Sequence, residues 1–280
     1  MSIFEAIWNW IKSIFHGSDS PIKIGDHCYM PLFPRRADGG LEMTWNYLSW
    51  PTTMQAEIRS WIKSHKASNE TPAITFCLTP RNINGGLIEN DMNGLTPEKL
   101  NVLEDRCKEL VKAGIAIFPC LYVDDSEPRW WQIKKHVIAW QTIHGKIGKY
   151  VTGYILSIES NEKAKSVGQL NDCINTMMVN MPGVDFYGTH LQWTANNGRY
   201  SWKGGASTPN IANIIFVEYS WDPNKGNKIG VNKMENEFNA ITAAEKRVKL
   251  CHQEFNVDAT GSVGKKQTEM LRRKKAWGIA

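Results

Sequence analysis

The sequence predicts an α/β protein of the (β/α)8 TIM-like barrel class, and three observations support this prediction. Seven short apolar runs follow one another along the chain, and most are separated by segments with helical periodicity. The runs are continuously apolar, which is typical of parallel strands that are covered on both faces. No GxGxxG or GxxxxGK[ST] motif follows any of them, which argues against an open sheet that binds nucleotides.

The composition is that of a globular protein with a full core. The chain has 280 residues, of which 42% are hydrophobic, and its net charge of +5 comes from basic residues that are spread among acids. That distribution argues against a nucleic-acid partner. The six cysteines form no CxxC pair, and most lie in apolar runs. We therefore expect reduced, structural thiols and synthesis in a reducing compartment. The small chain without a signal peptide could be cytoplasmic or virion-associated.

Residues 2–15 predict an amphipathic helix, with Ile3, Ile7, Trp8 and Ile11 among the residues of its apolar face. The segment has no basic start and no small-residue cleavage site, so it does not resemble a signal peptide. Two interpretations stay open: the helix packs on the body of the protein, or it contacts a membrane surface or a protein partner. We divide the chain into this helix with its linker, residues 1–20, and a barrel domain, residues 21–280.

The strands and helices of the barrel domain are predicted from apolar runs that alternate with helical patterns and from the capping, proline and glycine residues at their ends. The Thr96-Pro97-Glu98 sequence, for example, combines a capping residue, a first-turn proline and an acid, so it opens a helix that stops at Gly114. Strands are predicted at 24–33, 73–78, 115–123, 151–158, 184–193, 214–221 and 248–255. Helices are predicted at 52–66, 96–113, 128–144, 165–180, 231–245 and 264–276. Only residues 276–280 remain for an eighth strand, so we expect an imperfect closure.

Polar side chains follow the predicted strands at their carboxyl ends. In a barrel these ends meet at one face, where active sites are found. Two strands end in acids: the run that starts at Tyr154 leads into Glu159 and Glu162, and the run that starts at Val248 leads into Glu254. Carboxylates at the mouth of a buried strand lose solvation, which raises their pKa. Two carboxylates that face each other across one pocket are what the hydrolysis of a glycosidic bond requires.

Several of these residues resemble the pattern of the retaining (β/α)8-barrel glycoside hydrolases, the clan that includes cellulases, mannanases and β-galactosidases. That clan has an Asn-Glu pair after strand four, as in Asn161-Glu162, and a Glu after strand seven, as in Glu254. It commonly has an Arg after strand two and a Tyr on strand six, where Arg81 and Tyr219 stand. The proline that usually follows the Asn-Glu pair is replaced by Lys163.

The resemblance implies a role for each matched residue. Glu162 would be the general acid/base, Glu254 the nucleophile, and Asn161 a ligand of the sugar 2-hydroxyl. Arg81 and Tyr219 would hold Glu254 ionised. Glu159 is the alternative acid if the strand register differs, and Glu218, on strand six, could replace either carboxylate. The other predicted substrate-binding residues are Asp124, His190, Trp193 and Trp221, and Trp131 and Tyr122 are further candidate platforms for a sugar ring.

The function predicted from these residues is hydrolysis of a polysaccharide or cell-wall glycan, without a cofactor. Two other functions stay open. One is a metal-dependent hydrolase that uses His27, Asp124, His190, Glu218 and His252, although the sequence contains no HxH or HExxH motif. The other is a barrel without catalysis, a virion or lysis component that binds a glycan or a partner.

Overall fold

The computed structural model describes residues 20–25, 27–31, 34, 38, 43–66, 68–79, 95–123, 128–160, 164–191, 212–217 and 249–252. Within these ranges the strands form one sheet in sequential order, and each strand is parallel to its neighbours. The strands are β1 His27–Tyr29, β2 Glu70–Cys77, β3 Ala116–Tyr122, β4 Gly153–Ser157, β5 Phe186–Leu191, β6 Ile214–Val217 and β7 Lys249–His252.

Helices connect the first five strands. The α-helices are α1 Thr52–His65, α2 Pro97–Lys112, α3 Val137–Ile147 and α4 Val167–Asn180, and 3₁₀ helices span Thr44–Ser49, Trp130–Lys135 and Gly148–Tyr150. Side-chain caps begin two of them: Thr96 Oγ1 accepts the Lys99 N–H of α2 at 3.3 Å, and Ser166 Oγ accepts the Gln169 N–H of α4 at 3.1 Å.

The sheet curves back on itself. Strands β1 and β7 lie at the two ends of the strand order, yet they contact each other. A parallel sheet in sequential order whose first and last strands meet is consistent with the predicted TIM-like barrel. The parallel α/β architecture is thus confirmed. The predicted eighth strand at 276–280, the helices at 231–245 and 264–276 and the N-terminal helix at 2–15 lie outside the described residues.

Two apolar layers flank the strands because alternate side chains point to opposite faces. One layer lies inside the curved sheet and the other lies between the sheet and the helices. The inner layer includes Ala73, Cys77, Phe118, Cys120 and Ile155. The outer layer includes Ile74, Phe76, Ile117, Tyr154 and Leu156, together with the buried faces of the helices. The strands therefore need apolar side chains on both faces, which explains their continuously apolar sequence.

The first strand was predicted at 24–33, but β1 spans only His27–Tyr29. Residues 20–25 lie at the amino edge of the sheet instead. The Gly25 N–H donates to Thr71 Oγ1 at 3.1 Å, and Thr152 Oγ1 donates to the carbonyl oxygen of Ile22 at 2.7 Å. Lys23 Nζ lies 2.7 Å from a carboxylate oxygen of Asp185. These three contacts fasten the segment to the starts of three different strands.

The predicted helix at 128–144 is divided into two. A 3₁₀ helix runs to Lys135, and α3 begins at Val137 after His136, whose φ and ψ of −108° and 11° leave the helical range. In the 3₁₀ part, Trp130 and Ile133 are both buried, three residues apart, as the 3₁₀ period requires. The 3₁₀ helix at Thr44–Ser49 was not predicted.

Five cysteines, Cys28, Cys77, Cys107, Cys120 and Cys173, are free thiols. Cys77 and Cys120 occupy paired positions on β2 and β3 inside the curved sheet. Burial raises the pKa of Cys120 well above its ordinary range, so it stays a thiol and donates to the carbonyl oxygen of Tyr122 at 3.2 Å.

Across the described part of the chain, each helix is too short or too polar to cross a bilayer.

The contact between β5 and β6 requires a glycine, which gives a first prediction. A Cβ atom on Gly188 would lie 1.9 Å from the carbonyl oxygen of Ile214, so Gly188→Ala must push two paired strands apart. We expect it to lower the free energy of unfolding by about 3 kcal/mol or more in urea titrations. Gly145→Ala is the matched control: nothing lies within 4 Å of the added methyl in the α3 helix. It should stabilise the protein by about 1 kcal/mol. Equal effects of the two changes would contradict this packing.

An ionic cluster around Glu104 joins α2 to the end of α3. Lys146 and Lys149 lie 2.9 Å and 3.5 Å from the Glu104 carboxylate, and Lys108 lies at 3.4 Å. The Tyr150 hydroxyl also donates to Glu104, at 3.3 Å. The hydrogen bond from Lys146 is the main reason why the pKa of Glu104 falls from 4.5 to about 2.

This lowered pKa gives the second prediction. A carboxyl whose pKa is lower in the folded state contributes stability above its unfolded value, and this contribution is lost as the pH falls from 4.5 towards 2. Glu104→Gln should lower the free energy of unfolding by about 1 kcal/mol at pH 7, with a smaller difference near pH 3. Asp105→Asn is the control, since Asp105 pairs with Lys108 at 3.6 Å and is 69% exposed. Equal losses for both variants at pH 7, or a constant difference across pH, would refute the role of Glu104.

Candidate active site

The carboxyl edge of the sheet holds the candidate active site. The described part of this edge includes Thr79, two residues after β2, Val123, directly after β3, the turn after β4 at 158–160, and His190 near the end of β5. The Val123 N–H donates to Thr79 Oγ1 at 3.2 Å, which ties two of these ends together. A second set of hydrogen bonds ties β4 to β5.

The turn that follows β4 has an unusual backbone. Glu159 has a φ of 47° and is the only non-glycine residue with positive φ among those the structure describes. A non-glycine residue in this left-handed region costs of order 1 kcal/mol and persists only where its surroundings fix it. Here the Glu159 N–H donates to Nδ1 of His190 at 3.0 Å. The histidine of β5 therefore holds the exit of β4 in place.

Ser160 adds a second connection between the same two strands. Its hydroxyl donates to the carbonyl oxygen of His190 at 3.0 Å and is also hydrogen-bonded to the hydroxyl of Thr189. Ser160 and Thr189 are fully buried. Buried hydroxyls that are satisfied in this way fix the geometry of a turn, because leaving them unpaired would cost free energy.

His190 is a neutral hydrogen-bond donor. Its side chain is 1% exposed, and burial lowers its pKa from 6.5 to about 3. Because Nδ1 accepts the Glu159 N–H, the ring proton is on Nε2. Nε2 is buried and has no hydrogen-bond partner among the residues that the structure describes. The Trp45 ring lies edge-on to the imidazole, with ring centroids 6.4 Å apart. This neutral imidazole cannot supply a proton at neutral pH.

Two of the predicted site residues, Glu159 and His190, lie in the described chain, and the structure brings them together. The others lie outside it: Arg81, Asp124, Asn161, Glu162, Trp193, Glu218, Tyr219, Trp221 and Glu254. Of the metal ligands considered, only His190 has a described side chain. No group of three or more His, Cys, Asp or Glu residues that could hold a metal occurs in the described ranges.

The prediction that Tyr122 is a platform for sugar was wrong. Tyr122 is fully buried, its ring packs edge-on against Trp140 of α3 at 5.2 Å, and its hydroxyl accepts the Trp140 Nε1–H at 2.7 Å. Tyr122 is therefore part of the core. Trp131 is 39% exposed, so it remains a candidate. Sequence reasoning missed Trp45, since nothing in residues 41–51 indicates that this indole reaches a histidine on β5.

Comparisons with known proteins give likenesses of fold. No family model matches the chain, and no curated protein matches it. The AHE enzyme from Alicyclobacillus herbarius is 11% identical with a TM-score of 0.51, and the match covers 94% of this chain and 86% of that one. A putative glycoside hydrolase from Bacteroides vulgatus is 13% identical with a TM-score of 0.48, over 85% and 55% of the two chains.

A GH5_18 protein from Streptomyces cattleya, in complex with Manb1-4GlcNAc, is 9% identical with a TM-score of 0.49, over 81% of this chain and 70% of that one. Glycoside hydrolases are thus among the structures that resemble the chain. At these identities the likeness concerns the fold alone.

The state of His190 gives the third prediction. Imidazole ¹⁵N–¹H correlation spectra should show a neutral His190 with its proton on Nε2 from pH 5 to 8, and His190→Gln identifies the resonance by its disappearance. Because the pKa is lower in the folded state, His190 should destabilise the fold as the pH falls from 6.5 towards 3. A titration midpoint near 6.5, or a proton on Nδ1, would contradict the hydrogen bond from Glu159.

Proposed function

We propose that the chain is an O-glycosidase that cleaves a polysaccharide or cell-wall glycan with two carboxylates, Glu162 as general acid/base and Glu254 as nucleophile. The observation that supports this most directly is the sheet topology. Strands β4 and β7 are parallel members of one curved sheet, so both run towards the same edge. In the sequence, Glu162 follows Ser157, the last residue of β4, by five positions, and Glu254 follows His252, the last residue of β7, by two.

The curvature of the sheet matters for this proposal. In a flat sheet, strands four and seven would be separated by about 14 Å at a spacing of about 4.8 Å per strand. Here β7 contacts β1, and a barrel closed in this way would bring the carboxyl ends into a ring. A ring lets acids that follow strands four and seven face each other across its opening, and a retaining pair of carboxyl groups stands roughly 5 Å apart.

The hydrogen bonds around the β4 turn support Glu162 as the acid/base. His190 and Ser160 hold the backbone immediately before Asn161-Glu162. A catalytic acid needs such a rigid approach because small displacements of a reacting group lower the rate strongly. Glu159, the alternative acid, is itself the residue whose backbone is held, and it remains the first alternative to Glu162. Glu218, one residue after the end of β6, is the second.

The fourth prediction tests the two carboxylates. Purified protein is screened on a polysaccharide panel that includes peptidoglycan, and Glu162→Gln and Glu254→Gln are assayed on the glycan that responds. Each change should lower kcat by about 10³-fold or more, while circular dichroism and the unfolding midpoint stay unchanged. Asp172→Asn, an exposed acid of α4, is the matched control and should keep full activity.

A leaving-group test separates the two roles. With a dinitrophenyl glycoside of the released sugar, Glu162→Gln should regain much of its first step, because this leaving group departs without a proton; Glu254→Gln should not. If both variants are fully active on the polymer, the assignment is refuted, and Glu159→Gln and Glu218→Gln become the next variants. If the wild type binds a glycan and releases no product, the protein is a binding barrel instead.

A further inference from the structure

The amino edge of the sheet, opposite the candidate active site, carries more cations than acids. The helices α1 to α4 each lead into the next strand, so they end at this edge. Within the described chain, the segments that enter β2 to β5 and residues 20–25 contain two acids, Glu70 and Asp185. The same segments contain six lysines, which we call the amino-edge lysines: Lys23, Lys63, Lys66, Lys112, Lys146 and Lys149.

The acids next to this edge lower its positive charge but do not cancel it. Glu104 pairs with Lys146 and Lys149, and it is the third acid to count against the six lysines. Deeper in α4, Asp172 is the fourth, so an excess of two positive charges remains. The next charged residues of α1 and α2 are three of each sign: Glu57, Asp105 and Glu109 against Arg59, Arg106 and Lys108. This count is a net charge, so it does not depend on which lysines are paired.

The sequence outside the described ranges adds further positive charge to the same edge. Glu245-Lys246-Arg247 comes shortly before β7, and Arg272-Arg273-Lys274-Lys275 ends the predicted helix at 264–276. In a parallel barrel, both segments would lead into a strand at its amino end. Their six cations outnumber the acids of the undescribed positions beside this edge, which are Asp19, Asp26 and Glu245. The pattern of the sequence therefore increases the excess that the described residues show.

The amphipathic segment 2–15 is tethered to the same edge. Residues 20–25 are held at the starts of β2, β4 and β5 by their contacts with Thr71, Thr152 and Asp185. Five residue steps separate Phe15 from Ser20, so Phe15 lies within about 18 Å of this edge. The segment carries seven apolar residues at helical spacing: Ile3, Phe4, Ile7, Trp8, Ile11, Ile14 and Phe15.

An apolar stripe of this size needs apolar surroundings, and the described part of the amino edge offers few. Four large apolar side chains are exposed in the described ranges: Val102, Trp131, Ile138 and Val179. Only Val179 lies in the last turn of a helix that ends at this edge. A nucleic acid would pair with the lysines but would not cover the apolar stripe. The surface of an anionic bilayer offers both partners, because negative head groups lie directly above the acyl chains.

We propose that the amino edge of the sheet docks on an anionic lipid bilayer. Residues 2–15 lie in the plane of the interface with their apolar stripe among the acyl chains, and the amino-edge lysines contact the head groups. The two signals act together, since stable attachment to a membrane surface usually needs a basic patch in addition to one apolar anchor. This inference concerns the edge opposite the candidate active site, so it does not depend on the proposed hydrolysis.

The fifth prediction uses the full chain and two kinds of unilamellar vesicle, one of phosphatidylcholine alone and one of equal parts phosphatidylcholine and phosphatidylglycerol. In flotation assays the anionic vesicles should bind the protein about tenfold or more tightly than the neutral ones, and more weakly at high salt. Lys63→Gln with Lys112→Gln should weaken binding to the anionic vesicles about tenfold. Ile7→Gln with Ile11→Gln should weaken it about tenfold or more, because the apolar stripe is interrupted.

Each double variant has a matched control. Lys134→Gln with Lys135→Gln removes the same charge from the 3₁₀ helix that follows β3, before α3 begins. Asn9→Gln with Ser13→Gln makes two substitutions on the polar side of residues 2–15. Both controls should leave binding to the anionic vesicles unchanged, and all four double variants should keep the unfolding midpoint of the wild type.

Three results would overturn the inference. The first is equal binding to both kinds of vesicle, or none. The second is an equal loss for the two lysine pairs. The third is a lower unfolding midpoint for Ile7→Gln with Ile11→Gln without a loss of vesicle binding, which would mean that residues 2–15 pack on the protein itself. Duplex DNA serves as a lipid-free polyanion: if it binds as tightly as the anionic vesicles and displaces them, the edge is a general polyanion site instead.

Discussion

The burial of both faces of a parallel sheet is the constraint on which the structure depends. Each strand hydrogen-bonds to parallel neighbours, and its side chains alternate between the inner apolar layer and the layer beneath the helices. Polar side chains are costly at either kind of position unless they are hydrogen-bonded. They are therefore concentrated at the strand ends, and the carboxyl edge is where the chain can place chemical groups without weakening the core.

At that edge one set of hydrogen bonds joins β4 to β5. Glu159 adopts a left-handed conformation that its N–H bond to His190 helps to maintain, and Ser160 anchors the same turn to the backbone of β5. The cost of this arrangement is a buried imidazole that must stay neutral. A histidine used in this way shapes a neighbouring backbone, which a charged imidazolium could not do, because both of its ring nitrogens carry protons and neither can accept the Glu159 N–H.

The sequence predicted those features that follow from local pattern. The parallel α/β architecture could be predicted because continuously apolar runs such as 115–123 and 151–158 alternate with helical segments and are typical of strands covered on both faces. The helix cap at Thr96 could also be predicted, since the capping hydroxyl and the N–H group that it accepts lie within four residues of sequence.

Features that depend on distant contacts were not predictable. Trp45 meets His190 across 145 positions of sequence, and the role of Tyr122 depends on a partner in α3. The division of 128–144 at His136 was missed because the 3₁₀ and α periods share the i, i+3 spacing over one turn. Most of the predicted site residues lie outside the described chain, so for them the sequence remains the only argument.

The position of residues 20–25 determines which side of the protein would face away from a partner that binds this segment. It is fastened to the starts of β2, β4 and β5, by Thr71, Thr152 and Asp185. Residues 20–25 thus lie at the pole opposite the candidate site. A partner that holds the protein by this pole would leave the carboxyl edge of the sheet, with the candidate site, free to meet a large polymer.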